Sequence, residues 1–137
     1  MRIGRIGAQL TFGLLTGLLV GLLTGCGGTA PGFRTAPGSG EEGLASYYHD
    51  SLQGNRTANG EIFDQNAWTA AHRTLPFGTK VRVTRLSNGK SIVVRINDRG
   101  PFVAGRIIDL SRRGAQEMGF LRDGVVRVRV EVVEAGR

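Results

Sequence analysis

The stretch "TANGEIFDQNAWTAAHRTLPFGT", residues 57–79, brings Glu61, Asp64 and His72 within twelve positions. Carboxyls three residues apart fall side by side on a helical turn or tight loop, and like charges that close resist joint ionisation. If Phe63 or Trp68 shields one of them, its pKa rises, and a protonated carboxyl beside an ionised one is what glycoside cleavage requires. His72, at the end of an expected strand, could orient a carboxylate or shuttle a proton. Residue type alone leaves plainer readings open: solvated loop acids, Asp64 capping a turn, and a structural histidine.

Two further acids stand in "NDRGPFVAGRIIDLS". Asp98 either faces a site or bonds backbone amides or pairs with Arg99 or Arg106. Asp109 either faces a site or assists Ser111 in capping a helix. Tyr47, Tyr48, Phe63, Trp68, Phe77 and Phe102 flank these acids in sequence. Their rings suit the C–H faces of sugars and equally suit an ordinary core. No metal or cofactor is expected: His49, His72 and the acids form no HExxH, paired-cysteine or EF-hand pattern. Cysteine and serine nucleophiles are excluded too, since Cys26 is the only cysteine and no Gly-x-Ser-x-Gly elbow occurs.

The elements that must position these groups are mostly strands. "TKVRVTRL" and "SIVVRIND" alternate with period two, setting Val81, Val83, Ile92, Val94 and Ile96 inward. Between them Asn88-Gly89 predicts a two-residue hairpin turn. "VVRVRVEVV" alternates Val126, Val128, Val130 and Val132 against charged residues, and "GRIIDLS", "GLASYY" and "WTAAH" supply shorter strands. One short helix is expected, capped by Ser111, with Ala115 and Met118 on one face and Gly119 ending it. About six strands and one helix in under a hundred residues predict an all-β fold, a closed barrel or small sandwich, because so small a core cannot leave long edges unpaired.

Ahead of the domain, Arg2 and Arg5 precede an apolar run over residues 6–23, the pattern of a secretory leader. "LLTGC" closes it at Cys26 and resembles a bacterial lipobox, in which that thiol is lipidated; a plain membrane-spanning anchor is the alternative. The expected division is therefore leader 1–25, lipidated Cys26 with a Gly/Pro/Ser-rich tether over 26–42, and a barrel domain over 43–134. Gly27 after the cysteine resembles the signal for transfer to the outer membrane. The chain carries +7, and losing Arg2 and Arg5 with the leader leaves +5. A basic exported domain suits an anionic partner. Nucleic acid is excluded for a lipoprotein outside the cytoplasm, whereas lipid headgroups and the lactyl groups of cell-wall glycan are candidates.

"GLASYY", "TANGE", "TAAHRTLPFGT", "VVRINDRGPFV", "GRIIDLS" and "VRVRVEV" together resemble the RlpA (rare lipoprotein A) family over nearly all of residues 43–134. The resemblance implies a six-stranded double-psi β-barrel, shared with expansins and one class of lytic transglycosylases. It implies endolytic cleavage of peptidoglycan after N-acetylmuramic acid, leaving 1,6-anhydro ends and favouring strands stripped of stem peptides, in cell-wall organisation and daughter-cell separation. The family's Glu, Asp and His fall on Glu61, Asp64 and His72, the acid of its "NDRGP" loop on Asp98, and a groove acid of related barrels on Asp109. Either Asp98 or Asp109 would be the acid/base, with Glu61 and Asp64 stabilising positive charge. Tyr48, Asn59, Trp68 and Arg99 are the substrate-binding candidates. Non-catalytic, expansin-like glycan binding is the alternative. A monomer is expected. The SPOR domain of many relatives has no counterpart up to Arg137, so division proteins are candidate partners for a septal address.

Overall fold

The computed structural model describes residues 40–137. The stretches read as leader, lipidation site at Cys26 and tether up to residue 39 lie outside the described residues. Strand β1 spans Glu41–Tyr47 and so begins inside the stretch read as tether. It is followed by β2 (Thr69–His72), β3 (Lys80–Arg85), β4 (Ser91–Asp98), β5 (Arg106–Leu110), helix α1 (Arg112–Glu117) and β6 (Val126–Glu134). A single 3-10 turn at Asp50–Leu52, which the sequence pattern does not announce, leads into the long segment between β1 and β2.

The six strands close into a barrel in the order β1-β5-β2-β4-β3-β6. Two pairs, β1 with β5 and β2 with β4, are parallel, and the remaining pairings are antiparallel. Closure satisfies both edges of every strand, which a core of this size requires. The interior is filled by the alternation read from sequence: Val81, Val83, Ile92, Val94, Ile96, Val128 and Val130 are buried, joined by Ile108, Leu110, Met118 and Phe120. Each such fully buried side chain contributes roughly 1.5–3 kcal/mol.

Helix α1 forms as its caps dictate. Ser111 Oγ accepts from Gly114 N–H at 3.3 Å, Ala115 and Met118 are wholly buried, and Gly119 follows at φ +75°. The β3–β4 hairpin differs from expectation. Arg85 N–H donates to Lys90 O at 2.8 Å and Gly89 N–H to Arg85 O at 2.9 Å, so the loop comprises residues 86–89 rather than two residues. Asn88 uses its side-chain oxygen to hold Lys90 N–H at 3.0 Å, and Gly89 supplies the left-handed conformation at φ +73°.

Both parallel pairs contain a register shift. Thr69 pairs with Arg95 and Ala70 with Ile96, but Ala71 pairs with Asp98, leaving Asn97 as an extra residue in β4. In the other pair Leu44 opposes Arg106 and Ala45 opposes Ile108, leaving Ile107 extra in β5. A bulge reverses the facing of the residues beyond it. Without the one at Asn97, Asp98 would follow Val94 and Ile96 into the core; with it, Asp98 shares the face of Ala71.

Candidate active site

The bulges align one transverse row. Ser46 on β1 pairs with Asp109 on β5, Asp109 with Ala71 on β2, and Ala71 with Asp98 on β4. Their neighbours Ala45, Ala70, Ile96 and Ile108 have no exposed surface and point into the core, so the row lies on the outer face of the barrel wall. Neighbouring strands are about 4.8 Å apart, which separates the backbones of Asp98 and Asp109 by about 10 Å. In the row, Ala71 stands between them.

The two acids have different surroundings. Asp109 accepts a hydrogen bond from Ser46 Oγ. Burial pushes its carboxyl above the ordinary range, with the nearby Asp98 adding to the rise; the Ser46 bond and the charge of Arg106 oppose it. Asp98 instead collects donors: Oδ1 accepts from the N–H of Ala58 at 2.8 Å and of Arg99 at 2.9 Å, and Oδ2 from Tyr48 O–H at 2.6 Å. Tyr48 follows Ser46 by two residues, and its ring packs on Phe63 with centroids 4.3 Å apart. Burial, then the bond to Asp98, raises its phenol far above the ordinary value, so it remains a neutral donor.

Glu61 is not half of a carboxyl pair. Its oxygens meet Arg95 bidentately, at 2.6 Å and 2.8 Å, and also accept from Asn59 Nδ2 at 2.9 Å and Asn97 Nδ2 at 3.1 Å. The Arg95 guanidinium, with Asn97 and Asn59, holds its pKa down to about 2, opposite to the expected rise. The interaction anchors the 57–61 turn along β4, where Asn59 N–H donates to Asn97 O at 3.2 Å and Ala58 reaches Asp98. Asp64 is exposed; its Oδ1 caps a turn by accepting from Asn66 N–H at 2.9 Å, and it shares no hydrogen-bond partner with Glu61.

His72 also lies apart from the row. Strand alternation turns it to the face opposite Ala71, where it is buried. Its Nδ1 accepts from the N–H of Thr74 and Leu75 at 3.2 Å and 3.1 Å, which leaves the proton on Nε2, 2.9 Å from Glu41. It does touch a carboxylate, but one on β1 and none of the four candidate acids.

Among the substrate-binding candidates, Tyr48 donates to the row at Asp98 and Asn59 is tied into the Glu61 turn. Arg99 lies over the Phe77 ring, its guanidinium carbon 3.9 Å from the centroid. Trp68 lines an open cleft of about 600 Å³ together with Lys80, Val93, Arg95 and Glu117, under the guanidinium of Arg113 at 4.7 Å. That cleft contains neither Asp98 nor Asp109, so the chemistry is better located by the acid row than by cavity size. Of the aromatic residues, Phe63 is core and Phe102, 80% exposed, is not. Among the described residues no three His, Cys, Asp or Glu side chains gather as a metal site would require.

Sequence reading missed Ser46, Arg95 and Asn97. Arg95 and Asn97 were visible only as polar residues at the outward positions of β4, and nothing local marked their pairing with Glu61, 34 residues away in the case of Arg95.

Comparison with known proteins fits this geometry. A family described as "Lytic transglycolase" matches residues 40–130. The chain belongs to this family, with the RlpA proteins. The endolytic peptidoglycan transglycosylase RlpA of Pasteurella multocida is 51% identical over 76% of this chain and 35% of its own length. The probable RlpA transglycosylases of Synechocystis and Treponema pallidum are each 60% identical, over 67% and 65% of this chain and 29% and 28% of theirs. The chain thus spans about a third of the length of these curated relatives. Among solved structures, the Streptomyces papain inhibitor superposes with a TM-score of 0.58 at 27% identity, covering 71% of this chain and 96% of that one. The RlpA-type barrel is therefore a double-psi β-barrel whose two parallel pairs each carry a bulge.

Proposed function

We propose that this RlpA-family domain is an endolytic peptidoglycan lytic transglycosylase. It would cleave the β-1,4 bond after N-acetylmuramic acid in strands lacking stem peptides, with Asp109 as the acid/base. The observation that carries the reading is the row Ser46–Asp109–Ala71–Asp98: a half-buried carboxyl with a raised pKa in register with a second acid across one small residue. The names of the Pasteurella and Synechocystis relatives support the same reaction class.

Protonated Asp109 gives its proton to the glycosidic oxygen as the C1–O4 bond breaks. The oxocarbenium-like state leans on the Asp98 carboxylate, whose three bonds are all accepted ones. The Asp109 carboxylate then takes the proton of the sugar's own 6-hydroxyl as C1–O6 forms. The 1,6-anhydro end results without water, and Asp109 returns to its starting state. Glu61, neutralised by Arg95, fixes the turn that delivers Ala58 N–H to Asp98 and is a positioning residue rather than a charge stabiliser. Anchoring through a lipid on Cys26, facing the periplasm from the outer membrane, and a part in daughter-cell separation with division proteins belong to the same proposal.

A second reading, non-catalytic glycan binding, is favoured by one observation: Glu61 and Asp64 are each committed to a structural contact. The full chain in detergent, incubated with denuded glycan strands and followed by mass spectrometry, separates the two. Release of 1,6-anhydromuramic ends by the parent but not by Asp109→Asn supports the enzyme. Strand binding with no anhydro product at any pH supports the binder.

A further inference from the structure

Arg106 opens β5 on the outer face that carries the acid row. It pairs with Leu44, two residues before Ser46 on β1, which sets it about 7 Å along the strands from Asp109. Its charge reaches that carboxyl, yet among the described residues its guanidinium makes no ion pair. Of the other arginines around the site, Arg95 is engaged by Glu61, Arg99 by Phe77, Arg112 by Asp50 and Arg113 by Trp68. Arg73, two residues past Ala71, is also without an ion pair among the described residues, but Arg106 is the arginine whose charge acts on Asp109. An unpaired guanidinium beside an acid keeps its whole donor fork for something that arrives from outside.

Resting on the glycan-cleaving reading of this site, we propose that Arg106 binds the free lactyl carboxylate of N-acetylmuramic acid and so selects strands stripped of stem peptides. The polymer alternates a neutral sugar with an acidic one, and its only carboxylate in a stripped strand is the lactyl group. The Asp98 carboxylate repels such an anion, so a groove that accepts it needs a cation at its margin. Arg106 is that cation, with the planar geometry that meets a carboxylate through two parallel hydrogen bonds. When a stem peptide is attached, the same carbonyl is an amide. It then carries no charge, offers one acceptor oxygen instead of two, and brings a bulky chain against the row. Selection for stripped strands follows from the charge at one atom.

The test compares denuded strands in two forms, one with native lactyl carboxylates and one with those carboxylates converted to methylamides. Binding of the full chain in detergent is read by co-sedimentation and cleavage by mass spectrometry. The parent is expected to bind native strands about tenfold more tightly than amidated ones. Arg106→Gln should bind both forms alike and weakly, with the cleavage defect in KM rather than kcat, and Arg106→Lys should restore part of the discrimination. Equal binding of both forms by the parent, or a tenfold preference surviving in Arg106→Gln, overturns the proposal, and the parent comparison needs no variant to fold. If no anhydro product appears with either form, the lytic reading fails while the binding ratio still decides the role of Arg106.

Discussion

Asp98 and Asp109 occupy corresponding places in the two parallel halves of the barrel, each a residue or two past a bulge in the later strand of its pair. They share one face and one row but not one environment. Asp109 is shielded, and burial shifts it towards its neutral form against the opposing bond from Ser46. Asp98 is met by two backbone N–H groups and a phenol, all donors, as an acceptor carboxylate requires. Topology brings two like residues to one groove, and the neighbours supplied by each half separate their roles.

The strongest way to break this comparison is to neutralise each acid in turn. Asp109→Asn removes the only proton donor of the row and should lower the rate of anhydro-end formation by about 10³-fold, within the range for general acid–base groups. Asp98→Asn keeps an oxygen that can accept from both Ala58 and Arg99 N–H but loses the charge, and about 10²-fold is expected in the same assay. Equal losses would mean that the two acids act as one unit.

His72→Ala bears on stability instead. It strands the N–H groups of Thr74 and Leu75, and a loss of roughly 2–4 kcal/mol is expected in urea unfolding. The smallest effect belongs to Glu61→Gln, which weakens a half-exposed ion pair by about 1 kcal/mol or less. Its pH signature has a fixed sign. The folded pKa lies at about 2, below the ordinary 4.5, so the contribution of Glu61 is complete above 4.5 and fades as pH falls towards 2. Acid unfolding of parent and variant should therefore converge only as pH falls to about 2 and below.

Most of the barrel was legible because period-two alternation and helix caps are local. Val81, Val83, Ile92, Val94 and Ile96 declared an inner face, and Ser111 and Gly119 bracketed α1. The hidden part was non-local. An extra residue in a strand shows only when its partner strand is known, so Asn97 read as part of an uninterrupted alternation and the facing of Asp98 was undetermined. The proximity of Glu61 and Asp64 in sequence suggested a carboxyl pair, but Arg95 competes for Glu61 with an opposite charge and two well-placed donors. His72 read either as a carboxylate orienter or proton shuttle or as a structural histidine, and residue type did not decide because the turn that uses its Nδ1 consists of backbone N–H groups, which leave no mark on it. The family resemblance named the residues of the groove; geometry divided them into those that face the row and those that hold the frame.

The most direct measurement is the titration of the Asp109 carboxyl, followed by carbon-13 NMR in the intact chain and in Arg106→Gln. The expected midpoint lies above the ordinary 3.8 in the parent and rises further in Arg106→Gln, where the opposing positive charge is gone. A parent midpoint at or below 3.8 would contradict the assignment of Asp109 as the proton-carrying acid of the row.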